Sequence, residues 1–165
     1  VWGPHLPDAT GSDGPPIVRV GTLSKTLGAL GGFVAASRSV IDLLVNAARP
    51  FIFSTGLSPG DAAAALGALD VVGSPEGETL VARLRAHTDR LTPDHPSPIV
   101  PIIIGDERRA VAASEALLEL GYWVPAIRPP TVAPGTSRLR ITLSAAHSNE
   151  DVDGLLVALD QLGLR

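Results

Sequence analysis

The stretch that most limits how this chain can fold is VGTLSKTLGALGGFVAAS, residues 20–37. Two short runs flank its middle. IVRVGTL at 17–23 is rich in β-branched residues, and GFVAAS at 32–37 has a similar texture, so each reads as a strand. Between them, SKTLGALGG holds too much glycine for a helix or a strand and reads as a tight loop. The glycines at 21, 28, 31 and 32 let the backbone approach something closely. In this loop sits Lys25, the sole lysine among 13 basic side chains.

Composition explains the arginines but not the lysine. The chain is rich in Ala, Gly, Pro and Arg, a bias that a GC-rich coding sequence produces. A phosphate loop of the form G-x-x-x-x-G-K-[ST] would need glycines at 19 and 24, where this chain has Arg19 and Ser24. An ordinary surface role would be served as well by arginine. What lysine can do and arginine cannot is lose its proton and act as an amine nucleophile, for example towards an aldehyde. Lys25 directly follows a strand, where α/β folds place ligands. The hydroxyls of Thr22, Ser24 and Thr26 beside it suit an anionic phosphate. Together these features match a lysine that binds pyridoxal 5'-phosphate (PLP).

The rest of the chain alternates between elements. SVIDLLVNAARP (39–50) fits a helix capped by Ser39 and stopped before Pro50, and FIFSTGL reads as extended. Ser58 and Pro59 open an alanine-rich helix, interrupted at Gly73 and Pro75. EGETLVARLRAHTDRL resumes a helical period, with Leu80, Leu84, His87 and Leu91 on one side. SPIVPIIIG (97–105) is a strand, and 106–121 is a helix with Asp106 as cap and Gly121 as stop. YWVPAI is extended, RPPTVAPGTSR is a proline-rich loop, and RLRITLSAAH (138–147) is a strand. The last helix starts at Ser148 or Asn149 with acids in its first turn. Residues 97–165 thus read β-α-β-loop-β-α, a self-contained α/β unit. Residues 1–57 look like the tail of a different α/β domain, and 58–96 are a connecting helical segment.

Three blocks carry a family resemblance. GTLSKTLGALGGFVA resembles the cofactor-lysine segment of the α-oxoamine synthases, PLP enzymes with the aspartate-aminotransferase-like fold (PLP fold type I). ARPFIFSTGLSP resembles the segment that follows it, and IRPPTVAPGTSRLRITLSAAH the carboxyl-terminal substrate loop and strand. The blocks stand in the family's order and at its approximate spacing. The resemblance implies the end of a PLP-binding large domain (1–57), the connecting segment (58–96) and a complete small domain (97–165). It implies that Lys25 holds PLP through an imine and acts as general base on the substrate Cα. It also implies that Thr22 binds the cofactor phosphate. Ser54 and Thr55 would reach the phosphate from the partner subunit, because these active sites lie at a homodimer interface. Arg128 would pair with the amino acid carboxylate, and Thr131 would sit beside it. The RPPT form resembles the branch that condenses L-alanine with pimeloyl-CoA, or its carrier-protein equivalent. The glycine-using members, of the 5-aminolevulinate synthase and 2-amino-3-oxobutyrate CoA ligase type, usually lack it. Ala133 stands where the family commonly has proline, a change expected to alter loop stiffness.

Other features bound the reading. No D-x-x-H precedes Lys25, and the family's ring-stacking histidine has no counterpart here. With no methionine at position 1, these facts lead us to expect a C-terminal fragment of a larger enzyme, inactive alone. The alternative is a non-catalytic fragment acting as a binding module. No apolar run reaches the roughly 20 residues of a membrane span, so we expect a soluble, cytoplasmic protein. Zero cysteines and four histidines at unsuitable spacings exclude a thiolate or zinc site. A net charge of −4 and few aromatics argue against nucleic acid as partner. Arg138 and Arg140 alternate with Leu139 and Ile141, as on a strand with one solvated face.

Overall fold

The computed structural model describes residues 17–165. The loop expected at 1–16, with Trp2, His5, Asp8 and Asp13, lies outside the described residues. The chain divides into two compact units, meeting between Glu78 and Thr79.

The first unit opens with an antiparallel hairpin of β1 (Arg19–Thr22) and β2 (Gly32–Ala35), in which Val20 faces Val34 and Thr22 faces Gly32. Helix α1 (Arg38–Ala47) follows. Its N-cap is Ser37, two residues earlier than the expected Ser39, and the two serine hydroxyls lie 3.2 Å apart. Pro50 does not simply stop the chain. It occupies the first turn of a short helix α2 (Arg49–Ile52), where a missing N–H costs nothing. Phe51 and Ile52, expected in an extended piece, are therefore helical, and only the stretch after them is irregular. Helix α3 (Pro59–Val72) starts as its sequence requires: the Asp61 amide donates to the Ser58 hydroxyl at 3.1 Å. Val20, Phe33, Val34, Ile41, Leu44 and Phe51 help line an open apolar cavity of about 530 Å³ beside the hairpin.

The second unit contains the rest of α4 (Pro75–Leu91), whose first turn holds the division. There follow β3 (Ile99–Gly105), α5 (Glu107–Glu119), β4 (Ala126–Ile127), β5 (Ser137–Thr142) and α6 (Asn149–Gln161). The strands form one sheet in the order β3-β5-β4, both pairings antiparallel. β3 and β4 therefore run parallel to each other with β5 between them, a split β-α-β arrangement around α5. Of the extended YWVPAI, only two residues pair as a strand. Alternation on β5 holds: Leu139 and Ile141 are buried, while Arg140 and Thr142 are exposed. One face of the sheet packs Val100, Leu139 and Ile141 against Leu117 of α5 and Val152, Leu155 and Leu159 of α6.

Helix ends are closed chemically. Asp106 accepts the Arg109 amide at 2.8 Å. Gly121, at φ +90°, ends α5, and the Tyr122 amide turns back to the Leu117 carbonyl at 2.8 Å. Ser148 and Asp151 form a reciprocal capping box at the start of α6. His87 of α4 is buried, and its Nε2–H donates to the His147 carbonyl at 3.1 Å. A carbonyl can only accept, so Nε2 carries a proton, and the buried Nδ1 has no partner among the described residues. Arg90 of α4 pairs with Asp153. Among the described residues, no helix is long and apolar enough to cross a membrane, and no cluster suits a metal ion.

Two outcomes are expected. Leu139→Ala, at a site with no exposed surface, should cost about 2–5 kcal/mol, measured as lost hydrogen-exchange protection of β3 and β5 amides in urea. The second concerns acid. The Ser148 amide, and then its hydroxyl, hold the Asp151 carboxyl below the ordinary value of 3.8. The folded state therefore binds this proton more weakly than the unfolded state does. The contribution is complete above 3.8 and fades as pH falls through the lowered folded value. Asp151→Asn should flatten the acid limb of the same stability curve.

Candidate functional site

The loop between β1 and β2 is built by backbone hydrogen bonds. The Leu23 amide donates to the Gly31 carbonyl at 2.9 Å and so joins the two ends. The Ala29 amide donates to the Leu23 carbonyl at 2.9 Å, and the Gly28 amide to the Lys25 carbonyl at 3.0 Å. The last bond makes residues 25–28 a tight turn with the lysine at its head. Gly28 (φ +59°) and Gly31 (φ +113°) take backbone conformations that side chains oppose. Leu23 and Ala29 point inward, each less than a tenth exposed, and Lys25 points out.

Hydroxyl groups stand next to the lysine. Thr22 Oγ1 and Ser24 Oγ are 2.8 Å apart, and the Ser24 amide donates to Thr22 Oγ1 at 3.2 Å. Both residues are exposed. The structure thus brings Thr22, Ser24 and Lys25 together on one exposed loop.

Helix α3 meets this loop from below. Ala65 packs with Leu23 and Ala29. One turn earlier, Asp61 Oδ1 accepts the Leu30 amide at 3.2 Å, and Oδ2 accepts the Ser58 hydroxyl at 2.6 Å. The Ser58 bond, and secondarily the Leu30 bond, hold the Asp61 carboxyl below its ordinary value. Ser58-x-x-Asp61 is legible in the sequence as a helix start. Its tie to Leu30, 31 residues away, has no local signal.

Ser54 and Thr55 lie exposed between α2 and α3. Among the described residues, the Ser54 hydroxyl donates only to the Thr55 carbonyl, at 3.5 Å. Among the described residues, no hydrogen bond joins either to the lysine loop.

Arg128 and Thr131 belong to the second unit. Arg128 follows β4 directly, and the Thr131 amide donates to its carbonyl at 3.0 Å, closing a turn over Pro129 and Pro130, which are joined by a cis bond. Arg128 and Thr131 are exposed, and Arg128 lines a shallow cavity of about 410 Å³ with Glu107, Arg108 and Glu115 of α5. The following loop is tied by Thr136, whose amide and hydroxyl both donate to the Ala133 carbonyl. The carbonyl of Ala133, the residue standing where proline is common, is thus engaged.

Comparison with known proteins places this arrangement. Residues 4–159 match the model of the family described as aminotransferase class I and II. The chain belongs to that family. A relative from Anaeromyxobacter dehalogenans named 8-amino-7-oxononanoate synthase is 52% identical over 170 residues, covering 96% of this chain and 43% of its own length. Serine palmitoyltransferase from Sphingomonas wittichii superposes with a TM-score of 0.79 at 31% identity, over 88% of this chain and 39% of the other. A second serine palmitoyltransferase structure, described as containing a PLP internal aldimine, gives 0.73 at 26% identity, over 90% and 41%. This class I and II aminotransferase chain therefore has the PLP fold type I, as its sequence blocks imply. It spans about 43% of the length of the curated relative quoted.

Gly31→Ala provides a test of the loop. The new Cβ would lie 2.7 Å from Leu57 Cδ1 at a φ of +113°. We expect a loss of about 1–3 kcal/mol, seen as faster exchange of the Leu23 and Ala29 amides with the second unit unchanged.

Proposed function

We propose that this chain carries part of the active site of a PLP-dependent acyltransferase of the α-oxoamine synthase group, of the 8-amino-7-oxononanoate synthase kind. One observation carries the reading: the sole lysine is presented outward on a glycine-shaped loop beside two hydroxyls, in a chain 52% identical to a protein of that name. On this reading 1–57 end the cofactor-binding domain, 58–96 connect, and 97–165 form the small domain. The protein is a cytoplasmic homodimer with its active site at the subunit interface.

The loop suits the cofactor. An outward amine can meet an aldehyde, and the paired Thr22 and Ser24 hydroxyls provide donors for a phosphate. Thr22 would hold the phosphate, joined by Ser54 and Thr55 from the other subunit. When bound, PLP supplies an electron sink for negative charge at the amino acid Cα. Lys25 supplies the amine that binds the aldehyde, and its Nζ then takes the Cα proton. Arg128 holds the amino acid carboxylate with its planar fork of donors, and Thr131 sits beside it. The extended backbone required before a proline helps to aim Arg128. The substrates are L-alanine and a pimeloyl thioester, and the overall reaction joins them with loss of carbon dioxide. The family's ring-stacking histidine and its pyridine-nitrogen aspartate are not among the residues of this chain, so catalysis needs residues from outside it. The second reading is a non-catalytic fragment acting only as a binding module.

The two readings separate experimentally. Incubation with PLP, borohydride reduction and peptide mass analysis should place one adduct on Lys25, and Lys25→Arg should remove it while keeping the charge. No adduct, either in the chain or in a longer protein containing it, sinks the enzyme reading. In that longer protein, Arg128→Lys should raise KM for the amino acid about 10- to 100-fold, the loss of a charged hydrogen bond. Alanine turned over no better than glycine would reject the proposed branch.

A further inference from the structure

Nothing in the lysine turn itself fixes where Lys25 points. Its only internal bond is that of the Gly28 amide, and the ammonium group has no hydrogen bond or ion pair among the described residues. The position of Lys25 is inherited from its flanks. On one side Leu23, two residues earlier, is buried against Ala65 of α3. On the other side Ala29 is buried against the same Ala65, and from it the chain returns through Leu30 to Gly31, whose carbonyl accepts the Leu23 amide. Leu30 is 68% exposed, so packing does not hold it. Its amide is held instead by Asp61 Oδ1 at 3.2 Å. That carboxylate has little freedom, because Oδ2 accepts the Ser58 hydroxyl at 2.6 Å while the Asp61 amide donates back to the same hydroxyl. The first turn of α3 is thus a rigid bracket, with Asp61 and Ala65 one turn apart on the face turned to the loop.

We propose that Asp61 is a positioning residue for Lys25, acting through the Leu30 amide to hold the returning limb of the lysine loop. Only its catalytic consequence rests on the reading of Lys25 as the cofactor lysine. The mechanical claim stands on the bonds above. Removing the carboxylate releases the Leu30 amide and loosens the returning limb between the buried Ala29 and the Gly31 carbonyl, so the lysine turn and its amine sample a wider range of positions. Asparagine keeps an oxygen acceptor for the Leu30 amide and preserves the position.

Because Lys25 is the sole lysine, it can be observed directly. Reductive methylation of the chain with carbon-13 formaldehyde gives one side-chain dimethylamine signal besides that of the α-amine, assigned by its loss in Lys25→Arg. Asp61→Ala should move this signal towards that of free dimethyl-lysine. It should also speed exchange of the Leu30 amide about threefold to tenfold, the weight of one hydrogen bond. Asp61→Asn should restore both, and amides of the second unit should not change. An unmoved Lys25 signal in Asp61→Ala overturns the proposal, and so does an Asp61→Asn variant that behaves like alanine. If alanine unfolds the first unit, the asparagine variant still decides. The PLP adduct is measured alongside. A Lys25 signal that responds as expected in a protein forming no adduct leaves the bracket standing and removes the cofactor reading. Equal adduct rates with an unmoved signal do the reverse.

Discussion

The hydrogen bond from the Leu23 amide to the Gly31 carbonyl is the constraint on which the first unit's site depends. It continues the β1–β2 ladder by one step and pulls nine residues into a closed loop. Closure that tight cannot be made with ordinary backbone throughout. The chain must turn at Gly28 and again at Gly31, both at positive φ, where a β-carbon is opposed. Two inward residues, Leu23 and Ala29, then fill the space beneath with Leu27 packed against them, and Ser24, Lys25 and Thr26 are left facing outward. Lys25 is outward for this reason. Its exposure follows from the closure of the loop and requires no interaction of its own.

The second unit reaches a comparable end by another route. Its sheet buries one face under α5 and α6, so register along β5 decides which side chains are inside. β4 is held at the edge by two residue pairs, Ala126 with Leu139 and Ile127 with Arg138. Arg128 is the next residue, where the ladder has ended and the 128–131 turn begins. A long side chain at the end of an anchored strand has a fixed base and a free head, a suitable combination for capturing a carboxylate. The capping box of α6 and the turn at Gly121 satisfy the backbone groups that would otherwise be left open at the helix ends.

What was legible in the sequence follows from whether its cause is local. Caps at Ser58, Asp106 and Ser148 were readable because the acceptor and the amide it takes are three residues apart. The alternation of β5 was readable because burial of one face imprints a period of two. Pro50 misled because proline is equally at home after one helix and inside the first turn of the next, and only the tertiary path chooses. Most of the extended YWVPAI fails to pair, since strand texture does not supply a neighbour. The Asp61 bracket was hidden for the plainest reason. Its two ends are 31 residues apart, and a carboxylate in a helix start looks the same whether or not an amide from elsewhere arrives. The candidate residues Ser54 and Thr55 came from family resemblance, and nothing local to this chain would have singled them out.

The contrast between lysine and arginine at position 25 can now be put in structural terms. Nothing in the described residues uses Nζ to hold the fold: the turn closes through backbone atoms and the bracket grips Leu23, Ala29 and Leu30. Arginine would fit the same outward place with the same charge. A structural need would appear as a contact, and there is none among the described residues. On the proposed reading of Lys25 as the cofactor lysine, the demand for lysine is chemical. The property that separates the two side chains is an amine that can give up its proton and bond to carbon. The fold contributes a defined root for this flexible side chain, and on the proposed reading that root is what delivers the amine to one place.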